Sequence, residues 1–198
     1  MFAAIATRLD ALRTRYAAPG RHYHGQRHID LLLALLPDIR PALASPDAVE
    51  LAIWYHDAIY DPGSTDNEAE SAALLRTDLA TIAAPQLIAQ AATLILATTT
   101  HLVPPGLAPP LANDCAHFLD MDLSILGADP ETFAWYTAAI RREYARVPED
   151  HWNRRRPAIL SGFLARDRLY LTQYFHTRFD TPARTNLRTA IAAFPANS

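Results

Sequence analysis

The chain is predicted to be all-α, a single-domain helical bundle of about seven to nine helices. Three observations carry that expectation. Apolar residues recur at three- and four-residue spacings almost throughout the 198 residues, which is the period of one helix face. No alternating run and no tight hairpin turn stands among them. Pro and Gly punctuate the pattern, and neither an internal repeat nor a low-complexity linker marks a second domain.

The spacing predicts helices over 2–17, 25–36, 46–59, 66–81, 85–101, 111–126, 130–146, 157–178 and 182–194, the longest of them open to a break. Leu31, Leu32, Leu35 and Leu36 give the second a core-facing stripe. The third is apolar nearly all round through Val49, Leu51, Ala52, Ile53, Trp54 and Tyr55, so it is expected to run through the interior. Ser45-Pro46, Asp129-Pro130 and Thr181-Pro182 each place a side-chain acceptor before a proline at the first helical position, where the missing donor does no harm. Val103-Pro104-Pro105-Gly106 through Pro110 reads as a stiff loop. Trp135, Tyr136, Tyr144, Tyr170, Tyr174 and Phe175 recur at helical spacing and are read as core.

Half the residues are hydrophobic, a fifth are charged and the formal charge is -3, an ordinary globular composition with no sign of a nucleic-acid polymer partner. All 18 basic residues are arginine, which excludes Schiff-base and phosphate-loop lysine chemistry. The apolar opening is interrupted by Arg8 and Asp10, so neither a signal peptide nor a membrane span is expected. Cys115 is the lone cysteine; no intrachain disulfide can form, and a cytoplasmic setting is expected.

His56-Asp57 closes the buried third helix. A carboxylate there must be paired or bound to a cation, because burying it alone costs several kcal/mol. A backbone-bonded His and an Arg-paired Asp would satisfy this without function. His28 opens the second helix, with His24 four residues before it and Gly25 between them. Asp120 and Asp122 lie in the apolar run Phe118 to Gly127; two residues apart on a helix, they point about 200° apart, so one shares a metal face. Asp122 is chosen and Asp120 kept in reserve.

This spacing resembles the H…HD…D signature of the HD superfamily of metal-dependent phosphohydrolases, with His28, His56, Asp57 and Asp122 as the implied metal ligands. The resemblance runs from about residue 20 to residue 190. It rests on Tyr23-His24…His28-Ile29, Trp54 to Asp61, Asn67-Glu68…Ser71-Ala72, Thr100-His101, Asp120 to Gly127, Ile140 to Tyr144, Arg166, Tyr170 and Ala183 to Leu187, and is similar to a small bacterial subfamily of predicted HD phosphohydrolases. Gly25 departs from it, where a polar residue is expected.

Two imidazoles and two carboxylates suit a divalent metal ion such as Mn, Fe, Co, Ni or Zn, with Mg acceptable if water completes its shell. The implied reaction is hydrolysis of a phosphate ester of a small phosphorylated substrate, such as a nucleotide, by a metal-activated water. Asp57, Glu68 and His101 are the catalytic candidates. Glu68 would otherwise belong to a capping box with Thr65, and His101 would otherwise be a dipole partner at a helix C-terminus. Arg27, Arg141, Arg142 and Ser71 are the candidates for binding the phosphate, whereas Arg154-Arg155-Arg156 reads as a solvated helix start. Two alternatives stand beside hydrolysis. One is an HD-type di-iron oxygenase, which would recruit His24, His101 or His117; the other is a non-catalytic metal-binding or ligand-sensing module.

Overall fold

The structure is a computed structural model that describes residues 5–195. Among the described residues it is all-α, with helices α1 (Ala6–Tyr16), α2 (Gln26–Ile39), α3 (Pro46–Tyr55), α4 (Asn67–Leu79), α5 (Pro85–Ala97), α6 (Pro109–Leu123), α7 (Pro130–Glu143), α8 (Glu149–Leu164) and α9 (Gln173–Ala192). Short 3-10 turns follow α2 at Arg40–Ala42 and α6 at Ser124–Gly127. The first residues of the predicted helix 2–17 lie outside the described residues.

Proline accounts for the main departures from the predicted elements. Pro37, Pro157 and Pro182 all sit inside helices. Thr181-Pro182 is therefore not a helix start, and the break in the C-terminal region falls between Leu164 and Gln173. An interior proline forfeits one backbone hydrogen bond, but α9 carries Phe175, Phe179, Ala183 and Leu187 at four-residue steps across Pro182, and three of these are buried. Burial of that stripe outweighs the lost bond. Asp129 caps α7 as expected, accepting from the backbone N–H groups of Glu131 and Thr132 at 3.1 and 3.0 Å. Ser45 stands at the start of α3 without capping it.

The chain divides into two compact units, residues 1–121 and 122–198, with the division inside α6. In the first unit α3 touches α1, α2, α4 and α5. Every residue of α3 from Ala48 to Tyr55 except Glu50 is buried. Its N-terminus is held from a distance: the Asp114 carboxylate, itself buried, accepts from Ala44 N at 2.8 Å and Ser45 N at 2.7 Å. Asn113 adds a bond to Ala42 O at 2.9 Å. Asp114→Ala is expected to cost about 2–4 kcal/mol, since two backbone donors lose a charged acceptor; the urea midpoint measures it, and Ser45→Ala should cost much less. Cys115 is buried beside this cap, and burial pushes its thiol up to about 11, so it is no nucleophile at neutral pH.

In the second unit α9 packs on the 3-10 turn and on α8, and α7 packs on the same turn. Arg184 donates to Leu164 O at 3.1 Å and Arg166 O at 2.9 Å, satisfying carbonyls at the end of α8 that have no helical partner. Asp180 orients it, accepting from Arg184 Nε at 2.7 Å. The Arg154–Arg156 run lies within α8 rather than at its start. Arg154 and Arg155 are exposed, while Arg156 donates to the Tyr136 hydroxyl at 2.7 Å.

Candidate metal centre

The helix α3 ends one residue before His56, four residues earlier than the spacing predicts. All four of its final carbonyls find donors. Ala52 O accepts His56 N at 2.9 Å, Ile53 O accepts His56 Nδ1 at 3.0 Å, Trp54 O accepts the Tyr16 hydroxyl at 2.9 Å, and Tyr55 O accepts Ala58 N at 3.0 Å. The bond to Ile53 O decides the histidine's chemistry. A carbonyl only accepts, so Nδ1 carries the proton and the neutral ring presents a lone pair at Nε2.

That lone pair faces two further ligand-type atoms. His56 Nε2 lies 3.1 Å from His28 Nε2 and 3.0 Å from Asp57 Oδ2, and His28 Nε2 lies 3.6 Å from the same oxygen. His28 and His56 are 1% and 2% exposed. Ligands bound at about 2.1 Å stand roughly 3.0 Å apart at right angles and roughly 3.4 Å apart in a tetrahedron, so the triangle matches the spacing one small divalent cation imposes. Ligand atoms of His28, His56 and Asp122 also lie within 4.8 Å of one another. The residues present therefore fit a metal ion, with two imidazoles and carboxylate oxygen.

Burial alone would raise the Asp57 carboxyl, but the positive charge that His56, His24 and His28 carry when protonated, with the hydrogen bond His56 donates in that state, holds it well below the usual carboxylate range; in the neutral state of His56 a cation takes the place of that proton. It is an anion at neutral pH, as a ligand must be. The same surroundings act on Tyr16, whose hydroxyl is pushed well up by burial first and then by the Asp57 charge. That hydroxyl stays protonated and remains the donor to Trp54 O.

The loop beyond the turn is stitched as tightly. Ser71 Oγ accepts from Ile59 N at 3.0 Å and donates to Ile59 O at 3.3 Å, so both its hydrogen-bonding functions serve that loop. Asn67 pairs with Asp61 N and Asp61 O, each at 2.9 Å. These bonds fix the first turn of α4, which carries Glu68. No capping box forms there: Asp66 precedes the helix without a side-chain cap and Thr65 Oγ1 turns to Asp66. Glu68 is half-buried, and among the described residues no hydrogen bond or ion pair engages it.

His101 lies past the end of α5, which stops at Ala97, and its backbone is left-handed with φ 50°. Among the described residues it is the one non-glycine residue so placed, a conformation that glycine normally takes after a helix. Arg27 is exposed on the first turn of α2, beside His28. Arg141 and Arg142 belong to the last turn of α7 in the second unit, where Arg141 donates to Tyr144 O at 2.9 Å and covers the Trp152 ring. Asp120 is buried, while Asp122 lies in the last turn of α6. The residues directly after Asp122 are anchored: the Tyr170 hydroxyl donates to Leu123 O at 3.0 Å, and Asn186 Nδ2 donates to Leu126 O and Ala128 O, each at 2.9 Å. His24 stacks on Tyr60 with ring centroids 4.1 Å apart, and His117 Nδ1 bonds Asn113 O at 3.0 Å.

Sequence reasoning did not single out Tyr16 or Arg21, and it named Asn67 in the motif without giving it a role. Each acts on a backbone group, and side chains that hold loop carbonyls carry no spacing signal. Gly25, which looks like a departure in the motif, has a steric reason: a Cβ there would stand 3.1 Å from Tyr16 O and 3.3 Å from Arg21 O. No helix among the described residues is long and apolar enough to cross a membrane. No family model matches the chain, and no match is found among curated proteins or solved structures.

Proposed function

We propose that the protein is a divalent-metal-dependent phosphohydrolase acting on a small phosphorylated molecule. The observation that carries the reading is the convergence of His28 Nε2, His56 Nε2 and Asp57 Oδ2 within 3.0–3.6 Å, two imidazoles and a carboxylate aimed at one point. The H…HD…D resemblance, which includes Asp122, supports it. A divalent ion held there supplies Lewis acidity, lowering the pKa of a bound water and polarising a phosphoryl oxygen.

The chain's own residues supply the rest. His28, His56, Asp57 and Asp122 hold the ion. Glu68, half-buried on the first turn of α4, takes or returns the proton of the attacking water. His101 and Arg27 meet the phosphate, Arg27 through a planar fork that matches two phosphate oxygens. Asp57 contributes negative charge that strengthens cation binding.

Activity on a panel of phosphomonoesters and nucleotides, with added manganese, cobalt, nickel or magnesium, tests the reading. The expected result is metal-dependent release of phosphate that EDTA removes and metal restores. Persistent inactivity of metal-loaded protein across the panel would sink it. Metal analysis separates the alternatives: two irons per chain with oxygen consumption favours the oxygenase, and a bound ion with no turnover favours the sensing module.

A further inference from the structure

We propose that Arg21 is a positioning residue for the metal centre, holding the His56-Asp57 turn and the approach to His28 in their ligand geometry. The inference rests on the metal-binding reading above. Arg21 lies in the loop between α1 and α2, where Gly20 turns the chain with φ 92°. Its Nη1 donates to Asp57 O at 2.6 Å and to His24 O at 2.9 Å, and its Nη2 donates to Ala58 O at 2.9 Å. One nitrogen thus ties the segment leading into His28 to the residue that carries the carboxylate ligand.

The final carbonyls of α3 are met by His56, Tyr16 and Ala58, and two carbonyls of the turn beyond it, Asp57 O and Ala58 O, take their donors from Arg21. A guanidinium fork spans two adjacent carbonyls, which an ammonium point donor does not. The fork is itself held, its central carbon lying 5.3 Å from the Tyr16 ring centroid and 5.7 Å from that of Tyr60. Tyr16 in turn donates to Trp54 O, and Tyr60 stacks on His24. Arg21 is therefore the hub of a rigid frame under the ligand turn. Groups that orient ligands in this way typically govern metal affinity by about 10–100-fold.

The direction of the effect separates positioning from charge. A guanidinium near a cation site repels the cation, so if only its charge mattered, removing Arg21 would tighten binding. Positioning predicts the opposite. The test is cobalt(II) titration of the full chain, wild type against Arg21→Ala and Arg21→Lys, followed by calorimetry and by the visible ligand-field spectrum, with circular dichroism to check helix content. Arg21→Ala is expected to retain its helices, to bind cobalt about 10–100-fold more weakly, and to show an altered spectrum that millimolar guanidinium partly restores. Arg21→Lys should fall between, and it decides the matter if Arg21→Ala does not fold. Unchanged or tighter cobalt binding with an unchanged spectrum in the variant that folds overturns the inference while leaving the metal centre standing. Absence of cobalt binding by the wild type overturns the metal reading and this inference with it.

Discussion

Asp57→Asn is expected to lower divalent-metal affinity by roughly three orders of magnitude and to remove metal-dependent phosphate release, with helix content unchanged. The substitution keeps the side chain's shape and deletes one unit of charge. At an effective dielectric of about 20, two unit charges 4 Å apart interact by about 4 kcal/mol, which is roughly 10³-fold in a binding constant. Asp57 Oδ2 faces both imidazole nitrogens, at 3.0 and 3.6 Å, so no other position in the triangle replaces that charge. The backbone of the turn is held separately, through Asp57 O and Ala58 O, which is why the fold should survive. Cobalt titration and a phosphate-release assay measure the two effects, and unaltered affinity in Asp57→Asn would remove Asp57 from the ligand set.

Gly127→Ala is expected to destabilise the second unit by about 2–4 kcal/mol, at or above the usual range for overpacking. A Cβ at that position would stand 2.6 Å from Phe179 O, 2.8 Å from Phe179 Cβ and 3.0 Å from Phe179 Cα. These atoms are helix backbone or fixed to it, and no rotamer change moves them aside. The 3-10 turn would have to retreat from α9, straining the two bonds from Asn186 to Leu126 O and Ala128 O. Thermal unfolding followed by circular dichroism checks it. A loss below about 0.5 kcal/mol would mean that the turn and α9 separate easily, contrary to the packing described; that threshold is the ordinary scatter of surface substitutions.

Particular residues show what was legible in the sequence. The all-α class follows from periodicity, and Ser45-Pro46 and Asp129-Pro130 mark true helix starts, because a proline at the first helical position has a local cause. Thr181-Pro182 has the same local appearance, yet the stripe Phe175, Phe179, Ala183 and Leu187 carries the helix through it. Tertiary burial overrode a local boundary signal. His28, His56 and Asp57 announce themselves because ligand-type side chains on an apolar element need a partner. Asp114 does not: a buried acid that holds the backbone before a helix start 69 residues away leaves no pattern along the chain. Gly127 was legible as a helix-end glycine, but its requirement comes from Phe179, 52 residues later in the sequence.

The long-range caps of α3 have a consequence for the order of folding. The two residues that lead into it wait on Asp114, and its last turn waits on Tyr16, 38 residues upstream. An isolated ten-residue helix is marginal in water because nucleation is costly. Both caps also require closing long loops before any bond rewards the closure. Residues 46–55 therefore carry little autonomous tendency to persist as a helix, and α3 becomes defined in the same cooperative step that docks α1 and α6 around it. Ligand geometry at its C-terminal end then arises together with the assembled first unit, not as the property of a local peptide motif.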